Sequence, residues 1–424
     1  MINRAQAPAF RQVENIELIR AKELVLTNGL KIFSVDGGDQ DLVRIEFIFN
    51  NIAYDSAKPL QTFATNTMLN DGTSELSSTA IADKIDYYGA FLQTEYSNDQ
   101  STVTLFTLNK HLASTLPIVK AIVSDSVFPQ EELDTLIRNQ KQKLSVSLEK
   151  NDFVSRRKFS NVLFGNTLYG YEISAADYDK LDRTQLSSYF RQAYQPKNCT
   201  VMISGKVKDE TIKTIDQYFG CNWNDSVAAD PNKFEFSVAT GVEHYIEKPD
   251  ALQSAIRIGQ IAISRNHPDF PGLQVLNTVL GGYFGSRLMA NIREDKGYTY
   301  GIGSALVSMK NTGYFFIASE VGADVCSAAL AEIEKEIKIL KEQPASEEEL
   351  ALVKNYMLGS MLGSLENAFS HADKFKNIYF SGLDYDYYSR YIETVKSMDA
   401  EKLLQLANQY LSYADFQKVI VGKK

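Results

Sequence analysis

In the run GGYFGSRLMANIREDKGYTYGIG, residues 281 to 303, Arg293 stands seven positions before Tyr300. The pair suits chemistry directed at oxygen. A guanidinium offers permanently charged, forked donors, and a phenol donates a hydrogen bond without ionising at neutral pH. By type alone a structural reading competes, because an arginine near a helix end can bond the last carbonyls and a tyrosine at a strand start can close a core edge. The elements that must position both lie in the same run. Leu288, Met289 and Ile292 fit one face of a brief helix, with Ser286 placed to cap its start and Gly297 to stop it. Arg287 is expected to orient the loop, Glu294, Asp295 and Lys296 to form a solvated face, and Tyr298 to point away from Tyr300.

Other chemistries find little support. The four histidines, His111, His244, His267 and His371, have no partner at helical ligand spacing, and Cys199, Cys221 and Cys326 show no metal or redox spacing. Neither GGYFG nor GIGSAL completes a phosphate-binding loop, so these glycines are read as allowing close approach of another backbone. A net charge of -9 argues against duplex nucleic acid or an anionic membrane as partner. The start has no signal-peptide core and no run approaches a membrane span, so the chain is expected to be cytoplasmic.

At 424 residues and 44% hydrophobic, the chain is expected to fold as two domains. Asn28-Gly29 between apolar runs signals a hairpin, and Val43, Ile45, Phe47 and Phe49 alternate as in a half-buried strand. Pro59 then opens a helix carrying Leu60, Phe63, Ala64, Thr67 and Met68 on one face. The second half repeats the first. Asn66-Thr67-Met68-Leu69 matches Asn277-Thr278-Val279-Leu280 at an offset of 211, and Ile203-Ser204-Gly205-Lys206 matches Ile420-Val421-Gly422-Lys423 at 217. Matches in one order, joining elements of the same predicted type, read as two copies of one unit. The expected architecture is α/β (α+β), each copy a mostly antiparallel sheet packed with helices. Residues 1–220 form the first domain, 221–245 a linker and 246–424 the second domain. In the second copy, His267-Pro268 opens a helix that Gly281 ends, and Ser346 with Glu349 forms a capping box. Residues 311–320, NTGYFFIASE, read either as a core strand or as an edge open to an extended peptide.

The stretch from His267 to Leu306 resembles the signature of the second domain in the pitrilysin/insulinase family of zinc peptidases, which includes the mitochondrial processing peptidase. Leu280-Gly281-Gly282, Ser286-Arg287-Leu288, Arg293-Glu294, Gly297 and Tyr300 carry the likeness. Active members have H-x-x-E-H on a first-domain helix, two histidines holding zinc and a glutamate acting as base. Counted back from Gly72-Thr73, those positions here are Phe63, Ala64, Thr65, Asn66 and Thr67. Phe63, Asn66 and Thr67 mark a degenerate site, and residues 139–147, where a third ligand is expected, contain no carboxylate.

The resemblance implies an accessory subunit that binds no cofactor itself. Arg293 and Tyr300, with Gly282, would bind substrate and steady an oxyanion in trans, at the zinc site of a homologous H-x-x-E-H subunit acting on peptides. A homodimer is allowed for the isolated chain. The competing expectation is a non-catalytic scaffold or peptide-binding protein of the same fold.

Overall fold

The computed structural model describes residues 13, 15–221, 223, 232, 234, 236 and 241–423. Most of the expected linker lies outside the described residues, and its last part is not linker: Glu243–Glu247 forms a strand.

The strands are β1 (Lys22–Val25), β2 (Lys31–Asp36), β3 (Leu42–Asn50), β4 (Phe91–Tyr96), β5 (Gln100–Leu108), β6 (Cys199–Gly205), β7 (Glu243–Glu247), β8 (Gln253–Ala262), β9 (Thr299–Ser308), β10 (Gly313–Gly322) and β11 (Gln417–Gly422). The helices are α1 (Gln61–Thr67), α2 (Ser78–Tyr87), α3 (Leu112–Asp125), α4 (Gln130–Leu148), α5 (Asn151–Phe164), α6 (Ala175–Tyr178), α7 (Arg183–Ala193), α8 (Asp209–Phe219), α9 (Phe270–Asn277), α10 (Cys326–Glu342), α11 (Glu347–Gly363), α12 (Ala368–Tyr379), α13 (Asp386–Ser397) and α14 (Ala400–Tyr410).

Strand order is β1-β2-β6-β3-β5-β4 in one sheet and β7-β11-β8-β10-β9 in the other. Apart from the parallel pairs β2/β6 and β7/β11, every pairing is antiparallel. The second sheet therefore repeats the first, and among the described residues it has no counterpart of β1, the outer arm of the Asn28-Gly29 hairpin. Only Gly29 of that pair takes a positive φ, +84°. Asn28 instead accepts from Leu30 N and donates to Phe219 O.

Pro59 stands one residue ahead of the N-cap of α1, Leu60, rather than inside its first turn. Val43, Ile45, Phe47 and Phe49 face the first core with Leu105, Val119 and Leu186, as the alternation predicts. The strand is nevertheless not half-buried, since Arg44, Glu46 and Ile48 on its other face are buried too.

The cause is an exchange of helices between the halves. Helix α12, from the second half, packs on β2 and β6, where Phe375 and Ile378 meet Phe33, Ile48 and Met202. Reciprocally, α5 from the first half packs on β8 and β11, where Phe159, Leu163 and Phe164 meet Val419 and Val421. Each such side chain taken fully out of water contributes roughly 1.5 to 3 kcal/mol, so the exchange welds the halves through apolar surface as well as charge. Charge completes the seam. Arg44 donates to Asp373 and to Phe369 O of α12, while Lys376 pairs with both Asp373 and Glu46. Burial opposes ionisation of Asp373, but the Arg44 and Lys376 cations outweigh it and hold its pKa below the usual 3.8.

Candidate functional site

The helix ahead of the Arg293 region begins at Phe270, and Gly281 does not end it. The chain widens into a π-helical turn over Thr278–Gly282. Gly281 matters for another reason: a Cβ there would come within 2.7 Å of the Ser304 backbone nitrogen, so only glycine lets the turn lie directly on β9. Gly282 is exposed at the end of the turn, against Asn277.

A second π-helical turn, Met289–Asp295, carries Arg293. Leu288, Met289 and Ile292 are buried in the second core, as their spacing predicts. Ser286 does not cap with its side chain; its Oγ is buried without a hydrogen-bond partner among the described residues, and only its carbonyl accepts, from Ala290 N. Asn291 pins the turn by donating to Glu332 and Glu336 of α10 at 2.9 and 2.7 Å. Gly297, at φ +68°, stops the helix, with Lys296 N donating to Asn291 O and Tyr298 N to Ile292 O, both at 3.0 Å.

Arg293 lies over the ring of Phe284, 4.4 Å from its centroid, and its nearest carboxylate is Glu294 at 3.9 Å. Phe284 is a site residue that composition did not single out, although it sits within GGYFG; it is 64% exposed. Glu294, Asp295 and Lys296 are exposed. Arg287 does orient the loop, by a fork: Nε and Nη2 donate to the two carboxylate oxygens of Glu349 at 2.8 and 2.7 Å. This changes the capping box expected at α11. Ser346 accepts from Glu349 N, but the Glu349 carboxylate is spent on Arg287.

Tyr300 is 93% exposed. Its presentation has a local cause. Ser319 pairs with Ile302 and Val321 with Thr299, so Tyr300 and Gly301 together oppose the single residue Glu320. This bulge re-aims the side chain outward, and Thr299 Oγ1 locks it by donating to Glu320 O while accepting from Gly301 N. Tyr298 packs against the second core instead. Strand alternation is not the reason, since it would place i and i+2 on one face; Gly297 and the bulge separate the two rings. No hydrogen bond is found between Arg293 and Tyr300, and β9 is an edge of the sheet. The segment 311–320 is not an edge: β10 is paired on both sides, by β8 and β9.

The positions of the degenerate zinc site lie on α1, and their surroundings do not fit a metal. Phe63 packs edge-on to Tyr96 with centroids 5.7 Å apart. Asn66, 1% exposed, accepts from the hydroxyl of Tyr194 at 2.9 Å. Thr67 donates to Phe63 O. Among the described residues, no three His, Cys, Asp or Glu side chains gather as a metal site would require, and no helix is long and apolar enough to cross a membrane.

Comparison with known proteins bears on this arrangement. Residues 180–357, which include Arg293 and Tyr300 but not α1, match the family model described as the peptidase M16 inactive domain. The chain is 26% identical over 302 residues to the uncharacterized zinc protease YmxG of Bacillus subtilis, covering 71% of this chain and 73% of that one. It is 22% identical over 366 residues to the non-peptidase homolog YmxG of Helicobacter pylori, covering 84% and 83%. The crystal structure of a peptidase M16 inactive domain from Pseudomonas fluorescens superposes with a TM-score of 0.82 at 20% identity, covering 95% of this chain and 98% of that one. Over residues 180–357 the chain is thus similar to the peptidase M16 inactive domain, and its α1 carries no histidine or carboxylate that could hold zinc.

Proposed function

We propose that this chain is the zinc-free accessory subunit of a heterodimeric metallopeptidase and that it contributes Arg293 and Tyr300 to a partner's active site. The observation that carries this reading is the presentation of Tyr300. A bulge and a set of Thr299 hydrogen bonds hold a 93% exposed phenol beside an unpaired strand edge, where it closes no core. Arg293, seven residues ahead of Tyr300, lies over the ring of Phe284, which leaves its forked donors for a ligand. An extended peptide pairing along β9 would pass both groups, its carbonyls facing the guanidinium and the phenol. The homologous partner would supply H-x-x-E-H and the zinc; the packing around Phe63, Asn66 and Thr67 supports assigning that role to the partner rather than to α1.

The test is peptidase activity and zinc content of the chain alone, of a homologous H-x-x-E-H protein alone, and of the two co-purified. Activity confined to the mixture, with zinc in the partner only, is the expected result. A stable complex whose activity equals the partner's own would leave the chain as a scaffold, and stoichiometric zinc in this chain would overturn the reading.

A further inference from the structure

Because the halves are copies, each is a control for the other. In the first half, Tyr194 closes α7, is 2% exposed and donates its hydroxyl to Asn66 Oδ1 at 2.9 Å. Its ring lies 4.5 Å from that of Phe49. Three equivalences identify the same places in the second half. Thr278 bonds Gln274 O as Thr67 bonds Phe63 O, both at 2.8 Å, which puts Asn277 where Asn66 stands. Ile420 pairs with Ile256 as Ile203 pairs with Ile45, which puts Gln260 where Phe49 stands. Asp399 caps α14 as Asp182 caps α7, which puts Leu411 where Tyr194 stands.

The aromatic pair of the first half is thus a glutamine and a leucine in the second. Phe315, across from Gln260, stands where Ser101 does and returns part of that bulk; a cavity of about 310 Å³ remains, lined by Gln260, Leu280, Leu306, Phe315, Leu411 and Asn277. Gln260 is tied back, its Nε2 donating to Tyr410 O at 2.8 Å, and the Tyr410 hydroxyl is turned to Asp269 at 2.6 Å. Asn277 Oδ1 is buried with no hydrogen-bond partner among the described residues. The group that meets this carbonyl's counterpart in the first half is a phenol. Apolar cavities take up small aromatic molecules, and an unpaired polar group in the wall selects the one that pairs it.

We infer that this cavity is a binding site for a small phenol, whose ring occupies the space that Tyr194 fills in the first half and whose hydroxyl bonds the Asn277 amide. A hydroxyl both donates and accepts, so it satisfies that amide in either orientation. Neither Arg293 nor Tyr300 lines this cavity, and the inference does not rest on the proposed peptidase role.

Calorimetry and ligand-observed NMR on the whole chain, with 4-methylphenol and toluene as probes, test it. Binding of 4-methylphenol roughly tenfold or more tighter than toluene is expected, with the preference lost in Asn277→Leu. Leu411→Tyr should refill the cavity, raise Tm and abolish binding; if that variant does not fold, Leu411→Phe serves the same purpose. Absence of binding at millimolar concentration, equal affinity for toluene, or undiminished binding by a folded Leu411→Tyr or Leu411→Phe protein would overturn the inference.

Discussion

Arg44 on β3 and Asp373 on α12 stand 329 positions apart in the chain and 2.8 Å apart in space. Asp152 of α5 reaches Arg257 of β8 at 3.1 Å in the same manner from the other side. In register, Arg257 occupies the place of Glu46, so the outward charge on the middle strand is reversed between the halves while each is answered by a helix from the other half. This seam makes the halves interdependent. Arg44→Met leaves Glu46 and Asp373 facing one fewer cation, and since Arg44 and Glu46 are buried but Asp373 is about half exposed, a loss of roughly 2 to 4 kcal/mol is expected. Chemical denaturation should show one transition shifted as a whole. Two separated transitions would mean that the halves unfold independently of the exchanged helices.

A pH-sensitive contact lies at the same seam. His371 of α12 accepts a hydrogen bond from Ile19 N through Nδ1, and burial lowers its pKa from the ordinary 6.5. The unfolded chain therefore binds the proton more readily. This contribution is complete above about pH 6.5 and is lost as the pH falls below it. The protection of the Ile19 amide, taken relative to the intrinsic exchange rate at each pH, should fall between about pH 7 and 5, and His371→Gln should remove that dependence. Asp373, whose pKa is lowered, weakens the seam only at more acid pH, below about 3.8, so the two effects separate on the pH axis.

For the proposed active-site surface, Tyr300→Phe removes one hydroxyl from an exposed ring and should change stability by less than about 0.5 kcal/mol. Its expected effect on the complex is a loss of kcat of roughly a hundredfold with assembly unchanged. Arg293→Lys keeps the charge and loses the fork, and the Phe284 stack holds less well. Its loss of activity should be comparable. Full activity of both variants in an assembled complex would assign these residues to structure.

The Arg287–Glu349 fork makes a different prediction. Arg287→Lys can hold one carboxylate oxygen but not two, and should cost about 1 to 2 kcal/mol. Faster hydrogen exchange across residues 283–288, with α11 unaffected because Ser346 still caps it, would distinguish loosening of the loop from a general loss of stability.

The linear chain determined much of this arrangement by itself. The hairpin at Asn28-Gly29, the inward face of β3 and the stop at Gly297 are local patterns, each decided by side chains within a turn or two of one another, and the duplication is a repetition of such patterns in the same order. The family motif and the vacant chemistry of Phe63, Asn66 and Thr67 were likewise readable from residue types in order. Tertiary structure decided the rest. That β3 is buried on both faces depends on α12, several hundred residues away. That Glu349 serves Arg287 rather than its own helix end follows from competition for its carboxylate, and that Ser286 Oγ is buried without a partner among the described residues instead of capping is likewise a matter of packing. The outward aim of Tyr300 comes from a register shift against Glu320, and the cavity beside Asn277 from the balance of bulk when Gln260, Leu411 and Phe315 stand where Phe49, Tyr194 and Ser101 do. Sequence periodicity reports which way a side chain points along its own element; what that side chain meets is set by elements that approach from elsewhere in the chain.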